Sequence, residues 1–385
     1  MTTQHPKLPD VVELTQDLIR TETTESARNE RTILEKLATL YESFGFTCHF
    51  SQYNPDDPAK VSLVAQSAPS STTPALCFGG HIDTVPFGNA PWTIPPLSGE
   101  IRDGKLYGRG TTDMKGGVAA YTCAALSMLP KLNGANIIIH VYGGEELGLL
   151  GSEYLARHEP QAMGVIGAVV IGEPTSNRAQ AGHKGVTWIR FETSGVTAHA
   201  AMPDKGVNAL TKLLPTAARV GTYTPPQTHR YLGPSTATLA TLHSGLNTNS
   251  VPDAAVMTLD VRTVAGQTSD DVLRDAKTLA DPEVTVSCVA DVSSLWTDPE
   301  NPWYQRVCAI AKSVTGEESG VAAALFATDG AALQRYALPD TPMALLGPGR
   351  EGMAHQTDEY VEVQYLRDAQ TIYEKLIADW YGLEA

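Results

Sequence analysis

The chain has 385 residues, of which 42% are hydrophobic and 18% charged, and it carries a formal net charge of −15 with a sequence pI of about 5.1. This composition excludes a disordered chain, and the length points to one large and one smaller domain. The negative charge repels phosphate backbones, so nucleic acid is not an expected partner.

In chain order, Asp10 is placed to cap a helix carrying Val11, Val12, Leu14, Leu18 and Ile19. A second helix begins near Asn29, with Ile33, Leu34, Leu37, Leu40, Tyr41 and Phe44 at helical spacing and Gly45 as its stop. Strands are predicted at 46–53, 61–65 and 75–78, the last leading into Gly79-Gly80-His81. A long apolar helix follows at 116–129, then a strand at 136–142 whose isoleucines and valine read as buried. A helix at 151–158 and a strand at 168–171 continue the alternation, which predicts an α/β layer with a mostly parallel central sheet and helices on both faces. After Lys184 the order changes to strand 186–193, helix 206–220, strands 236–243 and 255–262, helix 269–279 and strand 284–289. That βαββαβ order is ferredoxin-like α+β. It predicts a domain at 184–290 inserted between catalytic segments 1–183 and 291–385. Helix 302–314, strand 343–346 and helix 362–381 complete the large layer.

Cys48, Cys77, Cys123, Cys288 and Cys308 are scattered, odd in number and form no C-x-x-C pair. Most of them read as small buried hydrophobes rather than a disulfide framework or thiolate metal site. Met1 to Asp10 has no basic-then-apolar leader pattern, and no stretch has the apolar length of a membrane span. The expectation is a cytoplasmic protein with no membrane partner.

Five clusters carry the chemistry. In Gly80-His81-Ile82-Asp83 the imidazole and carboxylate alternate, so both point to one side of an extended segment. A carboxylate there can hold the far ring nitrogen of a metal-binding histidine. Asp113 lies in Gly108-Arg109-Gly110-Thr111-Thr112-Asp113-Met114-Lys115-Gly116-Gly117, directly before a helix. It is either an N-cap or part of a backbone that packs close to something. Glu145 and Glu146 follow the buried strand 136–142, where adjacent carboxylates are costly without a nearby cation. Facing opposite ways, one can bind metal while the other meets substrate. Glu173 also follows a buried strand, and ligands of open α/β sheets collect at strand carboxyl ends. His355 stands in Ala354-His355-Gln356-Thr357-Asp358-Glu359. Two histidines and three carboxylates make a mixed N and O donor set suited to zinc, cobalt or manganese. With no Gly-x-Ser-x-Gly elbow and no phosphate-cradling glycine loop in a strand-to-helix setting, a serine hydrolase and a dinucleotide oxidoreductase are disfavoured.

These clusters, as GHIDTVP, DGKLYGRGTTDMKGG, GGEELG, GEPT and AHQTDEY, together resemble the M20 family of dinuclear zinc peptidases and deacylases. The resemblance spans nearly the whole chain and is nearest to the acetylornithine deacetylase and succinyl-diaminopimelate desuccinylase branch. It implies two divalent metal ions, zinc or cobalt, with His81 and Glu173 on one, Glu146 and His355 on the other, and Asp113 bridging. It further implies Glu145 as general acid/base, Asp83 orienting His81, and a cis peptide bond after Asp113. The inserted domain resembles the family's lid and dimer interface, so a homodimer through it is expected. Within it, Thr197-Ala198-His199-Ala200 resembles a motif whose histidine reaches the partner's site and holds the oxyanion. Ala198 stands where the family usually has glycine, which leaves the local backbone shape open. Asn249 and Arg262 resemble residues that hold a substrate carboxylate. For Arg262 a surface salt bridge at a strand end is the bland alternative. The residues Ala327-Thr328-Asp329-Gly330 and Arg350 are expected to line a substrate pocket. The expected reaction is metal-dependent amide hydrolysis in a small N-acyl amino acid, with an M20-type carboxypeptidase or dipeptidase as the alternative. A non-catalytic scaffold is disfavoured, because it would not need Glu145.

Overall fold

The β-branched runs expected to be buried strands do pair side by side. In a computed structural model, which describes residues 6–320 and 323–383, they form a six-stranded sheet. Its strand order is Thr47–Gln52, Val61–Gln66, Ile138–Tyr142, Ala75–His81, Ile166–Ile171, Met343–Leu345. The last four strands are mutually parallel, and the first two add on antiparallel. Part of the leader reading, residues 1–5, lies outside the described residues.

The chain divides into two units, with His183–Leu295 and Leu325–Ala327 making up the second. The first unit is organised by the helix Gly116–Met128, in which every residue except Ser127 is buried. An apolar helix with no polar face belongs inside a core. Here it meets the helix Val363–Tyr381, and Tyr121, Tyr373 and Phe78 of the central strand cluster with centroids 5.3–6.5 Å apart. Asp10 caps the first helix, its Oδ1 accepting from the Val12 and Glu13 amides at 2.9 and 3.2 Å.

In the second unit the four strands are all antiparallel, in the order Thr236–Ser244, Ala254–Thr263, Gly185–Ser194, Thr285–Val292. With helices Ala209–Val220 and Ser269–Leu279 this is the ferredoxin-like arrangement. Period-two alternation directs it: Thr187, Ile189 and Phe191 are buried, whereas Trp188 and Arg190 are exposed. Ile189 and Phe191 pack with Leu213, Ala217, Val220, Val272 and Ala276. Among the described residues, no helix is long and apolar enough to cross a membrane.

Three local differences have physical causes. The helix expected from 206 begins at Ala209, because the Asn208 side chain accepts from the Thr211 amide at 3.1 Å and fixes the start there. Tyr360–Glu362 is a strand, paired with Lys105–Tyr107, so the last helix begins at Val363. Lys105–Tyr107 also forms a hairpin with Ile101–Arg102 across Asp103-Gly104, both at positive φ. That Asp-Gly pair is the hairpin signal that the sequence reading passed over.

Candidate metal centre

Four candidate residues arrive at one place because parallel strands end on one edge. His81 is the last residue of its strand and is in register with Tyr142, the last of the next strand, so Gly143-Gly144-Glu145-Glu146 emerges beside it. Ile171 ends the strand on the other side, and Gly172-Glu173 follows. Asp113 comes from the tight turn Thr111–Lys115, entered through Gly110 at φ +88°. The peptide bond after Asp113 is cis. Asp113 does not cap the helix, whose N-cap position is Lys115. His355 adopts φ +63° and Asp358 φ +58°, unusual for residues with side chains. Asp358 secures this loop by accepting from the Thr93 amide and hydroxyl at 2.8 and 2.9 Å.

The ligand candidates converge on Asp113. Its Oδ1 lies 3.0 Å from His81 Nε2, and its Oδ2 lies 3.3 Å from His355 Nε2. Glu146 Oε1 is 3.1 Å from His355 Nε2, and Glu145 Oε2 and Glu173 Oε1 are each 3.9 Å from His81 Nε2. Donor atoms of His81, Asp113 and Glu173 lie within 4.8 Å of one another, as do those of Asp113, Glu146 and His355. Asp113 belongs to both groups. His81 Nδ1 is 3.0 Å from the main-chain carbonyl of Asp83, which can only accept. The neutral ring therefore carries its proton on Nδ1 and turns the Nε2 lone pair toward the carboxylates.

Asp83 holds His81 through that carbonyl, not through the expected carboxylate, whose Oδ1 is 3.6 Å from Nδ1. The carboxylate instead accepts from the amides of Glu145 and Glu146 at 3.2 and 3.1 Å. Main-chain amides of the neighbouring turn outcompete a poorly placed ring nitrogen.

Electrostatics shows why this donor set fits a divalent cation. Burial, and then the crowding by Glu173, Asp329 and Glu146, push the Glu145 carboxyl well above its ordinary range against the pull of His81. Burial raises Glu173 in the same way. Burial works against the His81 imidazolium, but Asp113, Glu145 and Glu173 hold its pKa well above the usual value. Hydrogen bonds to Asp113 and Glu146 raise His355 to about 10. Protons thus occupy the places where a cation would bind, and a divalent ion would release them. Zinc or cobalt affinity, measured by competition titration, is expected to rise with pH toward about 10, where the ion-free protein loses the His355 proton. A flat profile would remove His355 from the ligand set.

One functional residue escaped the sequence reading. Glu359 is completely buried and organises the Asp113 turn. Its Oε1 accepts from the amides of Gly110, Thr112 and Asp113 at 3.1, 2.8 and 3.2 Å, while Oε2 takes Arg109 Nη1 at 2.6 Å. Burial lifts its pKa to about 7 against the opposing pull of Arg109. The one sequence signal was an arginine between glycines, with no indication of its distant partner. Of the segment 327–330, Thr328 and Asp329 are fully buried. Burial raises Asp329 to about 7. Arg350 pairs with Glu362 at 2.7 Å.

In the second unit, the Ala200 amide donates to the Asn249 carbonyl at 2.9 Å, so the His199 and Asn249 segments are neighbours. His199 Nδ1 accepts from the Ala201 amide at 3.0 Å, which puts the proton of the neutral ring on Nε2. Arg262 forks onto Asp260, with Nε to Oδ1 at 2.8 Å and Nη2 to Oδ2 at 3.2 Å. The strand-end salt bridge is therefore the contact this arginine makes here.

The peptidase family M20/M25/M40 model matches residues 77–379. The chain is 28% identical to succinyl-diaminopimelate desuccinylase 2 of Ruegeria sp. (strain TM1040), over 97% of this chain and 96% of that one. It is 27% identical to acetylornithine deacetylase of Proteus mirabilis (strain HI4320), over 97% of each. Its fold is similar to that of an M20 family metallo-carboxypeptidase from Sulfolobus solfataricus, with a TM-score of 0.77 at 15% identity, covering 97% of this chain and 100% of that one. A match over most of the length, falling on the segments that bring His81, Asp113, Glu146, Glu173 and His355 together, makes the chain a member of peptidase family M20/M25/M40 and a metal-dependent hydrolase.

Proposed function

We propose that this protein is a deacylase of N-acyl amino acids, desuccinylase-like or acetylornithine deacetylase-like, working with two divalent cations, zinc or cobalt. The observation that carries the two-ion reading is that the two oxygens of Asp113 face different imidazoles. A carboxylate so placed suits a bridge, with His81 and Glu173 as ligands on one side and Glu146 and His355 on the other. Bound there, the cations would polarise an amide carbonyl and acidify a water.

The chain's own residues supply the rest. Glu145 takes a proton from the attacking water and passes it to the leaving amine, a task that favours a carboxyl with raised proton affinity. Asp83 holds the Glu145 and Glu146 amides and the His81 ring in place. His199 of a second copy donates from Nε2 to the developing oxyanion. Asn249 and Arg262 hold the substrate carboxylate, for which Arg262 must exchange Asp260. The reading entails a homodimer and a cytoplasmic setting, testable by solution mass and by fractionation.

The test is a panel run on metal-reconstituted enzyme: N-acetylornithine, N-succinyl-diaminopimelate, other N-acyl amino acids and dipeptides. Metal-dependent cleavage of acyl amino acids is expected, and turnover of dipeptides alone would overturn the proposal in favour of a dipeptidase or carboxypeptidase. His199→Ala is expected to lower kcat by about 10²–10³-fold with metal content unchanged, the usual effect of losing one oxyanion donor. Unchanged kcat would take His199 out of the mechanism.

A further inference from the structure

Under the turn that carries Glu145 and Glu146 lies a polar cluster to which the reaction so far assigns nothing. Glu30, the first residue of the helix Glu30–Ser43, is 1% exposed. Its Oε1 accepts from Lys60 Nζ at 2.8 Å and its Oε2 from the Tyr53 hydroxyl at 2.6 Å. Lys60 is itself buried, and its ammonium reaches a second carboxylate, Glu25 Oε2, at 2.7 Å. A carboxylate and an ammonium taken out of water lose hydration that their attraction only partly returns, so a buried pair is weak evidence of net stabilisation. Its presence needs another reason.

The main chain above it supplies one. A Cβ on Gly143 would stand 2.6 Å from Glu30 Oε2 and 2.7 Å from the Val61 carbonyl. A Cβ on Gly144 would stand 2.9 Å from the Tyr53 hydroxyl, and Gly144 also has φ +71°. The two glycines therefore let the backbone lie directly on the Glu30–Tyr53 pair. The next two residues are Glu145 and Glu146, whose amides donate to the Asp83 carboxylate. The turn thus lies against the Glu30–Tyr53 pair and is hydrogen-bonded to Asp83. A side chain held that way keeps its carboxylate in one place, and a displacement of about 1 Å in a reacting group can cost about 10²-fold in rate.

We propose that Glu30, Lys60 and Tyr53 are positioning residues: a buried polar bed that sets where the Glu145 and Glu146 carboxylates stand. This rests on reading Glu145 as the proton carrier and Glu146 as a metal ligand.

The test uses the full-length enzyme with Tyr53→Phe and with the double variant Glu30→Leu/Lys60→Met. The double variant replaces the ion pair with apolar groups of similar size, an exchange that is often neutral or stabilising. Four quantities are read: kcat, KM, cobalt(II) affinity by titration of its visible absorption, and the thermal midpoint. In both variants kcat is expected to fall about 10–100-fold and cobalt affinity about tenfold, the usual effect of losing a supporting partner. KM is expected to stay within about twofold, since binding groups are untouched. Should kcat and cobalt affinity both remain near wild type, whatever happens to the thermal midpoint, the bed is only structural and the proposal is overturned. Tyr53→Phe preserves the space occupied and decides alone if the double variant does not fold. If the wild-type enzyme cleaves nothing on the panel, the functional reading fails, and cobalt affinity still decides for or against the bed.

Discussion

Glu145→Gln is expected to lower kcat by about 10²–10⁴-fold, the range of general acid–base catalysis, while bound metal stays at the wild-type level. Glutamine keeps the size of the side chain and the amide that donates to Asp83. It loses the ability to take a proton from water and return it. Glu145 is placed for that work, with Oε2 3.9 Å from His81 Nε2 on a turn fixed by Asp83. Elemental analysis beside single-substrate kinetics separates two roles. Loss of metal together with rate would make Glu145 a ligand, and near-normal turnover would remove it from the chemistry altogether.

The largest effect on folding is expected at Glu359, four residues after His355 and 246 after Asp113. Glu359→Ala leaves Arg109 buried without its anion and deprives the amides of Gly110, Thr112 and Asp113 of their acceptor. Breaking a buried pair from one end costs about 3–5 kcal/mol, which urea denaturation of the reconstituted enzyme would register. Glu359→Gln keeps one carbonyl acceptor and should fall between wild type and alanine. Metal content should drop with stability in Glu359→Ala, because the Asp113 turn is what the carboxylate holds. A stable, fully loaded Glu359→Ala enzyme would mean that the turn holds itself.

The sheet and the ferredoxin-like unit were legible from short-range signals, whereas the grouping of all five donor side chains came from the resemblance of their motifs to a family. Strand 136–142 announces itself by apolar content, and parallel strands bring whatever follows them to a shared edge. Glu145, Glu173 and His81 needed no more than that. Glu359 was not legible, since its partners are about 250 positions away and nothing in local spacing marks them. Asp83 was read with the right neighbour and the wrong atom: the sequence shows that a carboxylate is adjacent to His81 but not which groups it bonds. Arg262 follows the same rule, since whether a guanidinium waits for substrate or closes on Asp260 depends on side-chain torsions. Helix starts were off by a few residues where a cap such as Asn208 set the limit.

The hydrogen bond from the Asp113 amide to Glu359 joins residues 246 apart. On a ribosome adding about 5–20 residues per second, the turn emerges roughly 12–50 s before the carboxylate that steadies it. His355 is made in the same late interval. On the proposed ligand set, four of the five donors are therefore made well before His355 can join them. On that reading, a message broken before the His355 codon would yield a chain that lacks one of its proposed donors.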